Sequence, residues 1–314
     1  TVMNKASAIV TDIGGATGHM ASISREYQVP TILDTGTATT VIKSGQEITV
    51  DAVNCNIYEG KVDELIALLN SMGAKILRSN PGEIIIEGVA SLHGAHYTIM
   101  PDRNEEVTFA IAAAVTRGSI TVLGSQRQHL AAFLKAFTAS GGTYEEVSEI
   151  STRYARGKDL LAIDIETNPH PGFMTDWQAP WAVLMTQAEG TAIIHETVFE
   201  NRFGYAEEVK KMGAHIESYD PDVSDPTGFY NFNWEDHQDG DHHAIRIQGP
   251  TKLHNAILTM NDLRAGATLV LAALAAEGQS VLHGVEHIDR GYENIEARLR
   301  ALGAHIERQK EEGL

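Results

Sequence analysis

Cysteine is almost missing from this chain: Cys55 stands alone among 314 residues. No intrachain disulfide can form, and a reducing compartment, the cytoplasm, is the simplest expectation. Positive charge is scarce as well, with 24 Lys and Arg against 42 Asp and Glu and a formal charge of −18. That balance argues against nucleic acid or an anionic membrane as partners, and an anionic substrate would need a local arginine cluster. Neither a signal peptide nor an apolar run of the ~18 residues that a membrane span needs is present. The chain opens at Thr1 without a methionine, inside strand-like text, so the expectation is a piece of a longer product, with a missing N-terminal portion or a partner chain. Hydrophobic residues make up 43%, ample for buried cores, and the length suits two or three domains.

What the chain does have is repetition. Asp262 opens an apolar, Ala/Leu-rich run that Gly278 closes, the pattern of a capped helix. Asp102 to Gly118 and Asp176 to Gly190 repeat the layout, with Asp-to-Gly spacings of 16, 14 and 16. After each closing glycine comes a short strand-like run, then a second helix-like segment ending at Gly141, Gly213 or Gly303, at distances of 23, 23 and 25. The text Gly-Ala-His-Ile-Glu follows at both 213 and 303. Three copies of one α/β unit are therefore expected from about Pro101, with helices at 103–117, 177–189 and 263–277 packed side by side at the centre, since their nearly all-apolar faces fit burial on every side. Gly73-Ala-Lys-Ile reads as the tail of a fourth copy, preceded by an amphipathic helix from Val62 to Met72 and followed by strands at 75–77 and 83–87.

Upstream, Ala8 to Asp12 reads as a buried strand, Gly14-Gly15-Ala-Thr17-Gly18-His19 as a glycine-rich turn, and Met20 to Tyr27 as a short helix. A histidine at a helix N-terminus can hold a phosphoryl group, because the helix end stabilises added negative charge; on spacing alone a turn histidine without chemistry is the favoured expectation. The text from Thr11 through Glu26, with Val29-Pro30, Gly36-Thr-Ala38 and Gly45 to Asp51, resembles the phosphohistidine swivelling domain of phosphoenolpyruvate synthase and pyruvate phosphate dikinase. The resemblance implies that His19 is the phosphocarrier, with Thr17 beside it. Gly18 departs from the Ser or Cys usual there, and the first strands of that domain are absent. Cys55 has nothing basic beside it and reads as structural.

Further on, Ile84-Ile-Ile-Glu-Gly-Val, Pro101-Asp-Arg103-Asn-Glu105, Pro171 to Ala179, Glu196-Thr-Val198-Phe-Glu200-Asn201-Arg202-Phe203, Asp262-Leu-Arg264-Ala and His287-Ile-Asp-Arg290-Gly-Tyr292-Glu resemble the UDP-N-acetylglucosamine enolpyruvyl transferase family over about 62–308. The implied fold is α/β: an enolpyruvyl-transferase-type globe of three repeated α/β units, an inside-out barrel, beside a partial swivelling β/α domain. The implied division is 1–60 for the swivelling part, 61–100 for a remnant of the first globe, and 101–314 for the second, with an insertion at about 219–243. Implied substrates are phosphoenolpyruvate and UDP-N-acetylglucosamine, with no cofactor and no metal.

All three aspartates look like helix caps, and the cap role suffices for Asp102 and Asp262. For Asp176 the resemblance implies more, a general base at the sugar 3-hydroxyl, with Val198 touching the same substrate. Arg264 sits in the first turn of its helix, against the dipole, which invites a functional explanation. By resemblance Arg264 and Arg290 grip phosphoenolpyruvate through bidentate contacts, while Arg103 and Arg202 serve lobe closure and packing. The insertion, with His237, His242 and His243 among acids, raises a metal site, but its spacing fits no tetrahedral scheme and a solvated loop is the favoured expectation. The family's cysteine loop and N-terminal lysine have no counterpart here, so the transfer is expected to be incomplete in this chain. The competing expectation is a noncatalytic phosphoenolpyruvate-binding or phosphohistidine carrier module.

Overall fold

The computed structural model describes residues 9–10, 31–32, 61–80, 83–238, 240–260 and 262–309. His19, Cys55 and the glycine-rich turn lie outside the described residues. The chain divides into two compact units, Thr1–Met100 and Pro101–Leu314. Among the described residues no helix is long and apolar enough to cross a membrane.

In the first unit, β1 (Ile9–Val10) pairs in parallel with β2 (Thr31–Ile32). Helix α1 (Lys61–Ser71) leads into an antiparallel hairpin of β3 (Lys75–Asn80) and β4 (Glu83–Glu87), the order that the periodicity predicts.

The second unit contains the repeats. The first runs α2 (Arg103–Val115), β5 (Ser119–Leu123), α3 (Ala131–Ala139), β6 (Gly142–Ser148) and β7 (Ser151–Arg156). After a short β8 (Ile165–Glu166), the second runs α4 (Thr175–Thr186), β9 (Gly190–His195), α5 (Gly204–Lys210), β10 (His215–Tyr219), the small helix α6 (Pro226–Phe229) and β11 (Ala244–Gly249). The third has β12 (Ile257–Thr259), α7 (Leu263–Ala275), β13 (Val281–His283) and α8 (Ile295–Ala301). In the first two repeats the strands flanking the second helix are parallel but not adjacent. The return strand lies between them, antiparallel to both, giving the orders β5-β7-β6 and β10-β11-β9-β8. In each of these two repeats the expected α/β unit thus contains a β-α-β-β stretch with its last strand in the middle.

Helices α2, α4 and α7 each pack against the other two, and their central stretches are buried on all sides. Such burial needs small or apolar residues at every position, which the runs Phe109–Val115 and Ala265–Ala272 supply. Each helix stops two or three residues short of its expected end. Trp177 and Trp181 of α4 meet Phe133 and Phe173 edge-on at 5.5–6.4 Å, locking the first repeat to the second.

The glycines expected to close the first helix of each unit behave unequally. Gly190 and Gly278 take positive φ, but after α2 the left-handed residue is Arg117 (φ 58°) rather than Gly118. The glycine after the second helix is regular: Gly213 and Gly303 have φ of 93° and 101°. In both, the next alanine's N–H turns back to the helix, Ala214 to Val209 and Ala304 to Leu299. That closure requires a residue free to adopt the left-handed conformation.

Candidate active site at three helix N-termini

The first turns of α2, α4 and α7 converge. Asp102 caps α2 by accepting from the Asn104 amide at 2.8 Å, and Asp262 caps α7 by accepting from Arg264 and Ala265 at 2.8 and 2.9 Å. Helix α4 departs from this pattern: Met174 occupies the cap position without a side-chain bond, and Asp176 is the second residue of the helix. The expectation of a third aspartate cap is therefore corrected. Instead of standing at the cap position, Asp176 meets other side chains.

Asn104, Asp176 and Arg264 are each the second residue of their helix, and they meet. Asn104 Nδ2 donates to Asp176 Oδ2 at 3.3 Å, while Arg264 approaches the same carboxylate with Nε at 3.4 Å and Nη2 at 3.5 Å. Arg202 binds it more tightly, Nη2 to Oδ1 at 2.9 Å, and its Nη1 donates to Thr175 Oγ1 at 3.1 Å. Asp176 and Arg264 are 19% and 14% exposed at their side chains, so this ion cluster is neither sealed nor fully wet. Burial opposes the charge on Arg264, but Asp176, Tyr292 and Asp102 outweigh it and raise the guanidinium's pKa. Arg103, the first residue of α2, is buried; burial lowers its pKa while the charges of Asp102 and Asp176 pull the other way.

Supporting groups hold these side chains. Trp177 Nε1 donates to Asn104 Oδ1 at 2.9 Å, fixing the amide so that its NH2 faces Asp176. Tyr292, buried against Thr108 Oγ1 at 2.8 Å, accepts from Arg264 Nη1 at 3.5 Å. The fully buried Glu196 accepts from Thr167 Oγ1 (2.9 Å), Thr175 Oγ1 (2.8 Å), and the amides of Val198 (2.8 Å) and Phe199 (3.2 Å). Burial raises its pKa against those bonds and Arg202. Thr175 thus links Glu196 to Arg202, and Arg202 to Asp176.

Of the residues that the sequence singles out, Asp176, Arg202 and Arg264 are in direct contact, and Arg103 is close enough to feel the Asp176 charge. Val198 is half-buried on the loop after β9, tied down through Glu196. Arg290 is exposed, and it ends a 3-10 turn, Val285–Arg290. The His-rich insertion also departs from expectation, as His237 and His243 pack into an aromatic nest, while His242 stays exposed beside Asp220. Among the described residues no group of three or more His, Cys, Asp or Glu could hold a metal ion.

A family model described as EPSP synthase (3-phosphoshikimate 1-carboxyvinyltransferase) matches residues 33–299, most of the chain. The chain belongs to the EPSP synthase family. A second model, the mobile domain of PEP-utilising enzymes, matches residues 1–55. The UDP-N-acetylglucosamine 1-carboxyvinyltransferase of Magnetococcus marinus is 43% identical over 250 residues, 80% of this chain and 54% of that protein. Its counterpart in Acidobacterium capsulatum is 39% identical over 268 residues, 85% of this chain and 56% of the relative. The chain therefore spans about half the length of the curated relatives it matches. Among solved structures, the enolpyruvyl transferase NikO from Streptomyces tendae aligns with a TM-score of 0.64 at 29% identity, over 77% of this chain and 53% of NikO. An EPSP synthase from Acinetobacter baumannii, at 16% identity and a TM-score of 0.56 over 84% of this chain and 56% of its own, shares the fold.

Within this EPSP synthase family member, sequence reasoning gave no role to Asn104, Thr175, Glu196 or Tyr292. Their one shared signal is position: each lies within two residues of, or in the same motif as, a charged candidate. The bonds that make them matter join segments 21 to 184 residues apart, which no local pattern reports.

Proposed function

We propose that residues 101–314 carry the anion-gripping and acceptor-activating half of an enolpyruvyl transfer from phosphoenolpyruvate to the 3-hydroxyl of UDP-N-acetylglucosamine, a committing step toward peptidoglycan. The observation that carries this reading is the convergence of three helix N-termini on the Asp176–Arg202–Arg264 cluster. First-turn N–H groups and two guanidiniums favour an anion with separate carboxylate and phosphate ends. Arg264 is the primary grip, Arg290 the second, and Arg103 adds buried positive charge. Without ligand, Asp176 neutralises Arg264; an incoming anion takes over those donors and leaves the carboxylate facing the acceptor. The 3-hydroxyl O–H bond then breaks, its proton passes to Asp176, and the oxygen bonds to the central carbon while the methylene takes up a proton; the bond from that carbon to the phosphate oxygen then breaks, and loss of phosphate and of one methyl proton leaves the enolpyruvyl ether. Val198 lines the sugar side. A proton for the enolpyruvyl methylene must come from outside 101–314, as the family's cysteine loop has no counterpart in this sequence.

Calorimetry with phosphoenolpyruvate tests the grip. Arg264→Ala removes a charged contact of roughly 1.5–3 kcal/mol, so affinity should fall at least tenfold, by about 1.4 kcal/mol. Equal affinity in wild type and variant would sink the assignment. Steady-state phosphate release with both substrates should stay near background for this chain alone.

The match of residues 1–55 to a mobile domain of PEP-utilising enzymes favours a second role, with His19 as phosphocarrier. Given a phosphoryl donor, the chain should gain acid-labile phosphate that His19→Asn loses; retention of label by the variant would place the carrier elsewhere.

A further inference from the structure

The segment from Asp220 to His243 joins β10 to β11 and has no part in the chemistry above. It is built around a stack: Tyr230 lies on Trp234 at 4.8 Å and 10°, and Trp234 on His237 at 4.5 Å and 5°. His243 packs beneath, 4.9 Å from Tyr230 and 5.2 Å from Trp234. Five bonds join this segment to the loop after β9. The Asn231 amide donates to the Thr197 carbonyl at 2.7 Å, and its side-chain Nδ2 donates to the same carbonyl and to Thr197 Oγ1 at 3.3 and 3.2 Å. Asp241 Oδ1 accepts from Asn201 Nδ2 at 3.0 Å. The His243 carbonyl accepts from the Glu196 amide at 2.7 Å. Val198, Phe199 and Glu200 are bracketed between these anchors.

The histidines set the condition for this arrangement. His243 Nε2 and His237 Nδ1 are 2.9 Å apart, so one nitrogen must carry the hydrogen and the other must not. His243 Nδ1 is buried and, among the described residues, has no hydrogen-bond partner, so a hydrogen there would be stranded. The favoured tautomer therefore has His243 Nε2–H donating to His237 Nδ1. A second proton on the pair then either strands an N–H on His243 or sets two N–H groups against each other. Facing groups divide: His237 and His195 of β9 oppose a charge on His243, while Asp220 and Asp241 favour it. Glu166 of β8 faces His195, and His242 is engaged by Asp220 at 3.2 Å. Burial is the largest influence, and the net shift is downward for both His243 and His195.

We propose that residues 220–243 form a pH-sensitive strap that positions the loop carrying Val198 and Arg202, with Asn231 and Asp241 as positioning residues and the neutral His243–His237 pair as its latch. Only the meaning of the loop's cargo rests on the proposed transferase reading; the strap itself can be read without ligand. Above the ordinary histidine range the latch is neutral and the strap holds. As pH falls through that range, the open form takes up the proton first and is increasingly favoured.

Hydrogen exchange at the Val198 and Phe199 amides, corrected for intrinsic rates, tests this on the whole chain. Between about pH 7.5 and about pH 5.5 the wild type should lose at least about tenfold protection there. Asn231→Ala and Asp241→Ala should show low protection at both pH values. In His237→Asn an acceptor stays near the Nδ1 position, so protection at about pH 7.5 should be kept, and its loss at about pH 5.5 should be smaller because only protonation of His243 Nδ1 remains. Exchange at Ile111 and Ala112, in the buried α2, reports whether any variant has simply unfolded. Wild-type protection that ignores pH, or an Asn231→Ala loop as protected as wild type, overturns the proposal. Failure of phosphoenolpyruvate to bind would instead count against the transferase reading and leave the exchange result standing.

Discussion

The first and second repeats follow the same course until the hairpin before the return strand. In the first, two residues, Glu149 and Ile150, join β6 to β7; in the second, Asp220 to His243 join β10 to β11. The equivalence is close at the backbone level. Ser125 N–H bonds to the Ile150 carbonyl at 3.0 Å, and Glu196 N–H bonds to the His243 carbonyl at 2.7 Å. Around that shared bond the surroundings are opposite: Ile150 is 62% exposed and His243 is 1% exposed. In the first repeat Ser125 shares its hydroxyl with Glu106 and Thr152, whereas in the second a carboxylate stands in the serine's place and collects four donors. A common scaffold thus carries a plain hairpin in one copy and, in the other, a loop that bears the candidate site and the segment that clasps it.

The largest effect should come from removing what the second repeat adds at that position. Glu196→Ala strands two threonine hydroxyls and two amides in a buried place, and each unsatisfied donor costs about 1–3 kcal/mol. We expect a loss of at least about 3 kcal/mol in denaturant unfolding, against roughly 1 kcal/mol for Ser125→Ala in the first repeat. Equal losses would mean that the two positions are not different in kind.

Next comes an exchange of helix-start residues. Asp176→Asn gives the second repeat the amide that the first carries at Asn104. Arg202 and Arg264 lose their shared carboxylate, so phosphoenolpyruvate should bind several-fold more tightly in calorimetry even as the base is lost. Weaker binding would show that Asp176 organises the arginines rather than competing with the anion.

How much of this could be read beforehand depends on the range of the interaction. The Ala-rich runs and the caps at Asp102 and Asp262 were legible because helix propensity, capping and all-round burial are written within a few residues of one another. Asp176 was misread as a cap because Asp before an apolar run has the same local appearance whether it stands at the cap position or within the first turn. Its meeting with Asn104 and Arg264, 72 and 88 residues away, depends on how three helices pack. The insertion was misjudged by its acids and histidines. Its signal was the cluster Phe229, Tyr230, Phe232 and Trp234, four aromatics within six residues and more than a solvated loop has use for.

A smaller effect should appear in the pH dependence of stability. Burial pushes the Tyr230 phenol up to about 12 and lowers the His243 and His195 pKa values. A histidine whose folded pKa is lowered contributes stability that is whole above the ordinary value of 6.5 and is lost as pH falls toward the folded pKa, because the unfolded chain binds the proton first. Replacing residues 220–243 by the Glu-Ile link of the first repeat should remove the His243 part of that slope. Thermal unfolding between about pH 7 and about pH 5 would measure it, and an unchanged slope would assign the dependence to other groups.

The smallest effect belongs to the first repeat, and it fixes the scale for the rest. Ile150 and His243 offer the same backbone carbonyl to the same kind of N–H, so a side-chain change at either leaves that bond possible. At Ile150 the side chain is mostly in water, and truncation to Ala should alter unfolding by no more than about 0.5 kcal/mol. At His243, truncation opens a cavity beneath Tyr230 and Trp234 and removes the donor to His237, so the loss should reach about 2 kcal/mol or more. Paired denaturation curves for Ile150→Ala and His243→Ala read the difference directly. If the two losses match, the nest around His243 contributes no more than an exposed hairpin does, and the second repeat holds its loop by its backbone bonds and the Asn231 and Asp241 side chains.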